Sequence, residues 1–312
     1  MSDIKIILLC SSRFALPALR ELAFFNMLAA DAIPRQYDEM IENVEVVLAG
    51  TGIPIIELDK ETFAERIREA IEENEVNLGF VMTFPYKIPS LVYELPSKGF
   101  YNIHPGPLPQ YRGADPVFQQ IINKEKYAGV TIHKLDDGID TGPVVMSEML
   151  KIAHSDTYGQ LTTKLANLAA KLTGILIKLV SFEVSIASKP QDETKATYFK
   201  RQDAKDIVVN WQTMDADTII ALINACNPWN KGAVTKINNQ VIRLLDAEKL
   251  PVNSFLQKEP GYILAMEENG ITVSAINDEA ILVQLIYTDE GFLHASRLQQ
   301  LGVVAGNRFE IN

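Results

Sequence analysis

Two short, largely apolar runs, Ile4–Leu9 and Leu78–Thr83, limit most tightly how this chain can fold. Neither alternates polar with apolar residues, so both suit strands buried on two faces, as in the centre of a parallel sheet. Between them the pattern switches to helical spacing. Leu16, Leu19, Leu22 and Phe25 line one side of Phe14–Phe25, and Thr62–Glu73 is amphipathic and rich in charge. The segment Gly52–Ile56 reads as a further strand. Strands that alternate with helices in this way give an α/β fold with a parallel sheet. The first strand-to-helix turn, Cys10-Ser11-Ser12-Arg13, lacks the GxGxxG spacing of a dinucleotide site.

The chain has 312 residues, long for one domain and comfortable for two, and 47% hydrophobic residues supply a sizeable core. No apolar run approaches the roughly 20 residues needed to span a bilayer, and the N-terminus has neither the basic region nor the cleavage site of a leader. The expectation is therefore a cytoplasmic protein without a membrane segment. Cys10 and Cys226 stand far apart with no CxxC or Cys/His spacing, which suits buried thiols in a reducing compartment. A net charge of −11 argues against indiscriminate binding to nucleic acid or anionic membrane.

Chemistry concentrates between Phe100 and Val145. Asn102 and His104 lie one residue apart at the end of an apolar segment, so as strand residues they share a face. A Pro/Gly-rich loop from Pro105 to Arg112 follows, then a helix-like run Pro116–Asn123 and a strand-like run Gly129–Leu135. That run ends in the acidic turn Asp136-Asp137-Gly138-Ile139-Asp140, followed by Thr141-Gly142. Asn-x-His at a strand end also describes a plain turn with a satisfied histidine, and Asp-Asp-Gly is an ordinary turn. If the second strand ends beside the first, however, an amide, an imidazole and a carboxylate converge without a metal-ligand pattern. Such a trio suits acyl transfer to an amine. The amide donates to the developing oxyanion, a contact whose loss typically costs about 2.7–4 kcal/mol of barrier. The imidazole moves a proton near neutral pH, and the carboxylate orients it or takes the proton the amine must lose. His133 is weighed only as a structural residue.

The combination resembles the formyltransferases that use 10-formyltetrahydrofolate, which carry Asn-x-His-Pro/Gly-x-x-Leu-Pro, Arg-Gly and Asp-x-Gly-x-Asp-Thr-Gly. The resemblance implies that Asn102, His104 and Asp140 are the catalytic trio. It implies a folate pocket built from Phe84, Tyr86 and Ile88, from Pro107 and Leu108, and from Asp136, Asp137, Gly138 and Ile139. Arg112 and Gly113 then fix the loop over the site on the substrate side, and no metal takes part. The alternative for Phe84 and Tyr86 is a loop packing its own aromatics. The likeness is looser at residues 10–13, where the family's Gly-Thr/Ser-Pro turn is missing.

Val144–Ile152 reads as a strand and Thr157–Phe182 as a long helix. A polar connector follows Ser188. Beyond it Ile207–Trp211 is strand-like, Ala216–Cys226 helical, and five short strands run from Val234–Ile237 to Ala280–Tyr287 with Gly/Asn turns. This half resembles the C-terminal domain of the methionyl-tRNA formyltransferase family, with Leu298–Phe309 as its last turn and strand. The expected architecture is thus a Rossmann-like α/β catalytic domain over residues 1–189, a linker at 190–205 and a small OB-like β-barrel domain at 206–312. The acceptor stays open between two classes. Two-domain architecture favours methionyl-tRNA. Against it, the region where tRNA-acting relatives carry a basic inserted loop is here the acidic stretch Pro34–Val47. Residues 35–75 hold 12 Asp/Glu against 4 Lys/Arg, whereas phosphate contacts need cations. Residues 195–258, with 9 Lys/Arg against 6 Asp/Glu, are only weakly basic. A small amine such as an amino sugar, a sugar nucleotide or a modified amino acid is the alternative. Hydrolysis of the formyl donor and a non-catalytic RNA-binding role are further readings, and no protein partner is evident.

Overall fold

The computed structural model describes residues 4–251 and 258–310, which form two compact units. The first comprises Met1–Pro116, Tyr127–Lys151 and Thr162–Phe199, and the second Val117–Lys126, Ile152–Leu161 and Lys200–Asn312. Strands of the first unit are β1 (Ile6–Cys10), β2 (Leu28–Pro34), β3 (Ile55–Leu58), β4 (Leu78–Met82), β5 (Phe100–His104), β6 (Arg112–Gly113), β7 (Tyr127–Lys134), β8 (Val144–Lys151) and β9 (Tyr198–Phe199). Its helices are α1 (Leu16–Phe24), α2 (Asp38–Leu48), α3 (Phe63–Glu73) and α4 (Ser90–Tyr93); α5 (Pro116–Ile122) falls almost wholly in the second unit, and α6 (Tyr158–Ser181) begins in the second and continues in the first.

A seven-stranded sheet in the order β3-β2-β1-β4-β5-β7-β8 is the frame of this unit. From β3 to β5 the strands are parallel, as the unbroken apolar runs require, and β7 and β8 add an antiparallel edge. On one face Ile7 and Leu9 of β1, Ala30 and Ala32 of β2 and Val81 of β4 pack with Ile67 and Ile71 of α3. Chain order reverses between β1 and β4, where sheets of this type hold their ligands. There Ser11 and Ser12 bond Thr83 through its carbonyl and hydroxyl groups. One glycine fixes the start of β5: a Cβ on Gly79 would lie 2.5 Å from the ring of Phe100, its partner across the ladder.

Several elements differ from the sequence expectation. β2 escapes a periodicity reading because Asp31 interrupts its apolar run, yet that residue is wholly buried. The acidic stretch before Val47 is largely helix α2, which buries Met40, Val44 and Leu48 and leaves Asp38, Glu39, Glu42 and Glu45 exposed. On the long helix α6, Leu172 and Leu176 are buried, whereas Ile175 is 40% exposed.

The second unit holds α7 (Ala216–Ala225) and an antiparallel six-stranded sheet. Its strands are β10 (Ala233–Ile237), β11 (Gln240–Lys249), β12 (Ile263–Glu267), β13 (Gly270–Ser274), β14 (Ala280–Thr288) and β15 (Gly291–His294). Trp211 is fully buried, stacked on Phe309 with ring centroids 5.1 Å apart, and its indole N–H donates to Thr235 Oγ1 at 2.9 Å. Ile207–Trp211 is not a strand: a 3-10 turn occupies Ala204–Ile207, and only Val208 bridges to Val234. Ala295–Leu301 forms another 3-10 turn, after which Arg308 makes a single bridge to Tyr262 in place of a last strand. Among the described residues no helix is long and apolar enough to cross a membrane. Both cysteines are buried free thiols.

Asp31 leaves a measurable mark on stability. The Cys10 thiol reaches both of its carboxyl oxygens at 3.6 Å, and among the described residues no cation offsets the burial, which pushes the carboxyl up to about 8. An unfolded carboxyl loses its proton near pH 4. Between pH 4 and 8 the unfolded chain has therefore released a proton that the folded chain keeps. The group's contribution to stability falls as pH rises through this window, by at most about 1.4 kcal/mol per pH unit. Asp31→Asn removes the titration. The gain in Tm of this variant over the parent should widen from pH 4 to 8 and then level off. Parallel pH profiles for the two proteins would contradict the assignment.

Candidate active site

β5 and β7 run antiparallel with Asn102 opposite His133 and His104 opposite Thr131. Asn102 and His104 share a face of β5, as their spacing requires. The turn after β7 returns the chain so that Asp140 reaches both of them. Asn102 Nδ2 donates to Asp140 Oδ1 at 2.9 Å, and His104 Nδ1 lies 3.6 Å from Asp140 Oδ2. The N–H of Gly113 donates to the same Oδ2 at 2.9 Å. Asp140 itself adopts a left-handed backbone (φ 57°), which Asp tolerates better than most residues. Gly113 also has positive φ (91°), and a Cβ there would sit 2.3 Å from the carbonyl of Phe199. The Arg-Gly pair is thus one place where only glycine fits.

Protonation follows from the partners. The carbonyl of Tyr111 can only accept, so the 2.7 Å contact to His104 Nε2 places the hydrogen on Nε2. Neutral His104 then turns the lone pair of Nδ1 toward Asp140. The Lys134 carbonyl likewise takes a hydrogen from His133 Nδ1 at 2.8 Å, which leaves His133 Nε2 to accept from Asn102 Nδ2 at 3.1 Å. Both amide hydrogens of Asn102 are therefore committed, one to His133 and one to Asp140. Burial alone raises the Asp140 carboxyl. At the low pH where this carboxyl titrates, the charge of protonated His104, the charge and hydrogen bond that His133 supplies in its protonated form, and the Gly113 N–H together outweigh burial and hold the group well below the usual carboxylate range. His104 is lowered as well, but here burial is the cause and not the opponent of the shift. Burial lowers it below the ordinary histidine value, although Asp140 and the Tyr111 carbonyl pull it up. An ionised carboxylate thus faces a neutral, buried imidazole that can accept a proton at Nδ1.

The other residues singled out from sequence have more varied surroundings. Ile88 is buried in the apolar cluster of β1, β2, β4 and α3, and Phe84 packs against that cluster. Phe84, Tyr86 and Phe63 form an aromatic group, with centroids of 5.5 Å for Phe84–Tyr86 and 5.0 Å for Phe63–Tyr86, and the Tyr86 hydroxyl pairs with Gln36. Leu135, just before the acidic turn, joins the same cluster. Pro107 and Leu108 are half-buried, and the Leu108 N–H donates to Thr131 Oγ1 at 3.2 Å. Asp136 holds the turn by accepting from Gly138 N and Thr141 Oγ1, and Asp137 accepts from the Tyr93 hydroxyl at 3.1 Å. Ile139 stays 59% exposed beside Asp140. Arg112 is fully buried and is bound to Gln191, Glu193 and Tyr198 of its own chain. Among the described residues no cluster of His, Cys, Asp and Glu is arranged to hold a metal.

Sequence reasoning missed two residues. His133 was visible only as the polar member of a strand pattern, and its place beside Asn102 follows from the β5/β7 register. Gln191 lies 51 residues from Asp140 in a polar connector and gives no local signal.

Comparison with known proteins agrees in kind with this geometry. Residues 34–175 match the family model described as formyl transferase, and residues 202–292 match that described as formyl transferase, C-terminal domain. The chain is 31% identical over 298 residues to methionyl-tRNA formyltransferase of Halothermothrix orenii, covering 90% of this chain and 92% of that one. In fold it is similar to an N-formyltransferase from Helicobacter canadensis solved with folinic acid and dTDP-3-aminofucose (TM-score 0.67, 19% identity, 90% of this chain and 98% of that one). It is also similar to HypX from Aquifex aeolicus in complex with tetrahydrofolic acid (TM-score 0.61, 18% identity, 95% of this chain and 47% of that one).

The electrostatics can be checked directly. In a pH titration followed by NMR, His104 should titrate below the ordinary histidine value of about 6.5. In Asp140→Asn it should move lower still, because the carboxylate is the charge that pulls it up. A titration unchanged by that substitution would show that the two side chains do not meet.

Proposed function

The chain belongs to the formyl transferase family, and from that premise we propose that it moves a formyl group from 10-formyltetrahydrofolate to a primary amine, with methionyl-tRNA as the acceptor. The observation that carries this reading is the buried Asp140 carboxylate, met from one side by the Asn102 amide and from the other by His104 and the Gly113 N–H. The donor supplies a carbonyl carbon already activated for attack by an amine. Its flat ring system calls for apolar walls and a few polar contacts. Phe84, Leu108 and the exposed side chain of Ile139 fit that need, with Tyr86, Pro107 and the Asp136–Gly138 backbone beside them. Ile88 would serve from beneath, as a core residue supporting Phe84.

His104 acts first on the amine, accepting its proton at Nδ1, where the lone pair points. The imidazolium that results is stabilised by Asp140, and when the tetrahedral intermediate collapses it returns the proton to N10 as the formyl C–N10 bond breaks and tetrahydrofolate leaves. Asn102 supplies a donor to the oxygen on which charge gathers by turning its hydrogen from His133 to that oxygen. Its own carbonyl oxygen meanwhile accepts from the attacking amine and holds it in line. Arg112 and Gly113 hold the loop in place. Proximity supplies much of the remaining acceleration. A reducing cytoplasm fits the two buried free thiols.

Methionyl-tRNA is favoured by the two-domain architecture and by the 31% identity to an enzyme named for that acceptor over nearly its whole length. A small amine is the second reading, because exposed carboxylates of α2 stand where a phosphate backbone would need cations.

Alanine at Asn102, His104 or Asp140 should each lower kcat by at least about 100-fold with the circular dichroism spectrum unchanged. Near-normal turnover in any of the three would remove that residue from the mechanism. Formyl transfer to charged tRNA should weaken steeply as salt rises. If transfer proceeds only to small amines and is indifferent to salt, the second reading replaces the first. Formate release with no amine present would instead identify a hydrolase.

A further inference from the structure

The catalytic turn is held by a residue that neither strand supplies. Gln191 Nε2 donates one hydrogen to the carbonyl of Asp140 at 2.8 Å and the other to the carbonyl of Gly142 at 2.7 Å. Its Oε1 accepts twice from Arg112, from Nε at 3.1 Å and from Nη2 at 2.8 Å. The amide group of Gln191 is used completely, with one side reading the turn and the other reading the arginine. Arg112 is fully buried, and its remaining N–H groups go to Glu193 (2.7 and 2.9 Å) and to the Tyr198 hydroxyl (2.6 Å). Each nitrogen of the guanidinium is engaged, and the bidentate geometry is one that lysine cannot reproduce.

The segment carrying Gln191 is itself fastened at both ends. Lys189 and Val144 exchange backbone hydrogen bonds at 2.8 Å each, next to the turn. Further on, β9 pairs with β6, with Arg112 N bonded to Thr197 O and Ala114 N to Phe199 O. β6 includes Gly113, whose N–H holds Asp140 Oδ2. The backbone and the carboxylate of Asp140 are therefore both positioned through the same short strap.

We propose that Gln191 is a positioning residue for the formyl transfer, an adapter through which Arg112 fixes the Asp140 turn, and that Arg112 acts through this clamp and not by touching substrate. The inference rests on the catalytic reading of Asp140. A carboxylate displaced by about 1 Å can cost on the order of 100-fold in rate. Here the displacement has a second signature, because the same carboxylate raises the proton affinity of His104.

Gln191→Ala and Gln191→Glu test the idea together. The Glu variant keeps, and strengthens, the pairing with Arg112, but it sets a carboxylate against the carbonyls of Asp140 and Gly142. If Gln191 works by donating to the turn, both variants lose about 10- to 100-fold in kcat with donor KM within about 2-fold, and the acid limb of the kcat/KM profile, set by His104, moves to lower pH. If Gln191 merely anchors the connector, the Glu variant keeps wild-type kcat, which overturns the proposal. A loss of kcat with an unmoved acid limb overturns it as well. Should Gln191→Ala not fold, the Glu variant carries the test alone, with the His104 NMR titration as its second readout. Asp140→Asn separates the two levels of argument. If that variant stays active, the reading of the site fails whatever Gln191 does. If it is inactive while both Gln191 variants behave as wild type, only the clamp is refuted.

Discussion

A charge shielded from water, as Asp140 is, has to be met by donors, and much of the local architecture of the first unit answers that demand. β5 brings the Asn102 amide to one oxygen, and the glycine of β6 brings a backbone N–H to the other. β7 places His133 near the first oxygen at 3.6 Å, and His104 stands the same distance from the second. None of these partners is adjacent to Asp140 in sequence. Removing either N–H donor would leave a buried charge short of a hydrogen bond, an expense of several kcal/mol in general. The left-handed backbone of Asp140 is tolerable for the same reason, since its geometry is fixed from outside the turn.

A second buried carboxylate in the same sheet shows the opposite outcome. Asp31 is even more fully enclosed, and its polar neighbour is a thiol, a weak donor whose own ionisation is suppressed by burial. With nothing positive nearby, enclosure wins and the group keeps its proton near neutral pH. Asp140 gains enough from two N–H donors, and from the positive charge its neighbouring imidazoles carry when protonated, that enclosure loses. The contrast separates residue type from role. Both are aspartates in one sheet framework, and the donors around them decide which one is available as a charge.

These partnerships also mark how far the sequence could be read. The unbroken apolar runs identified β1 and β4, and the Asn-x-His and Asp-x-Gly-x-Asp spacings located β5 and the turn that meets it, because each is a local pattern with a local cause. β2 was hidden by Asp31, whose burial depends on neighbouring strands. Ile207–Trp211 has the composition of a strand, but Trp211 is drawn into stacking on Phe309 and pairs with nothing in a ladder. His133 was set aside because a strand histidine carries no signal of what lies across the ladder. Gln191 had none at all: its chemistry exists only once a polar connector has been folded back over the turn. What remained illegible was, in each case, a contact set by register or by chain return.

The site at rest is satisfied internally, and this shapes how it can work. Both Asn102 hydrogens are taken, and His104 donates from the nitrogen that faces away from Asp140, into the Tyr111 carbonyl. A substrate oxygen gains a donor only by displacing a partner already in place. The one whose loss costs least is His133, because its neutral Nε2 can be left to a small polar group, whereas Asp140 cannot be left unpaired. The hydrogen that turns toward substrate is therefore the one shared with His133, and the Asn102–Asp140 bond persists throughout. When His104 takes a proton, Asp140 gains a cation as Asn102 redirects its other hydrogen. The charge in the pocket is then balanced at the moment the new bond forms, with little rearrangement of the surrounding backbone. In the transfer we propose, electrostatic preorganisation of this kind depends on the carboxylate staying still, which is the ground for the positioning role proposed for Gln191.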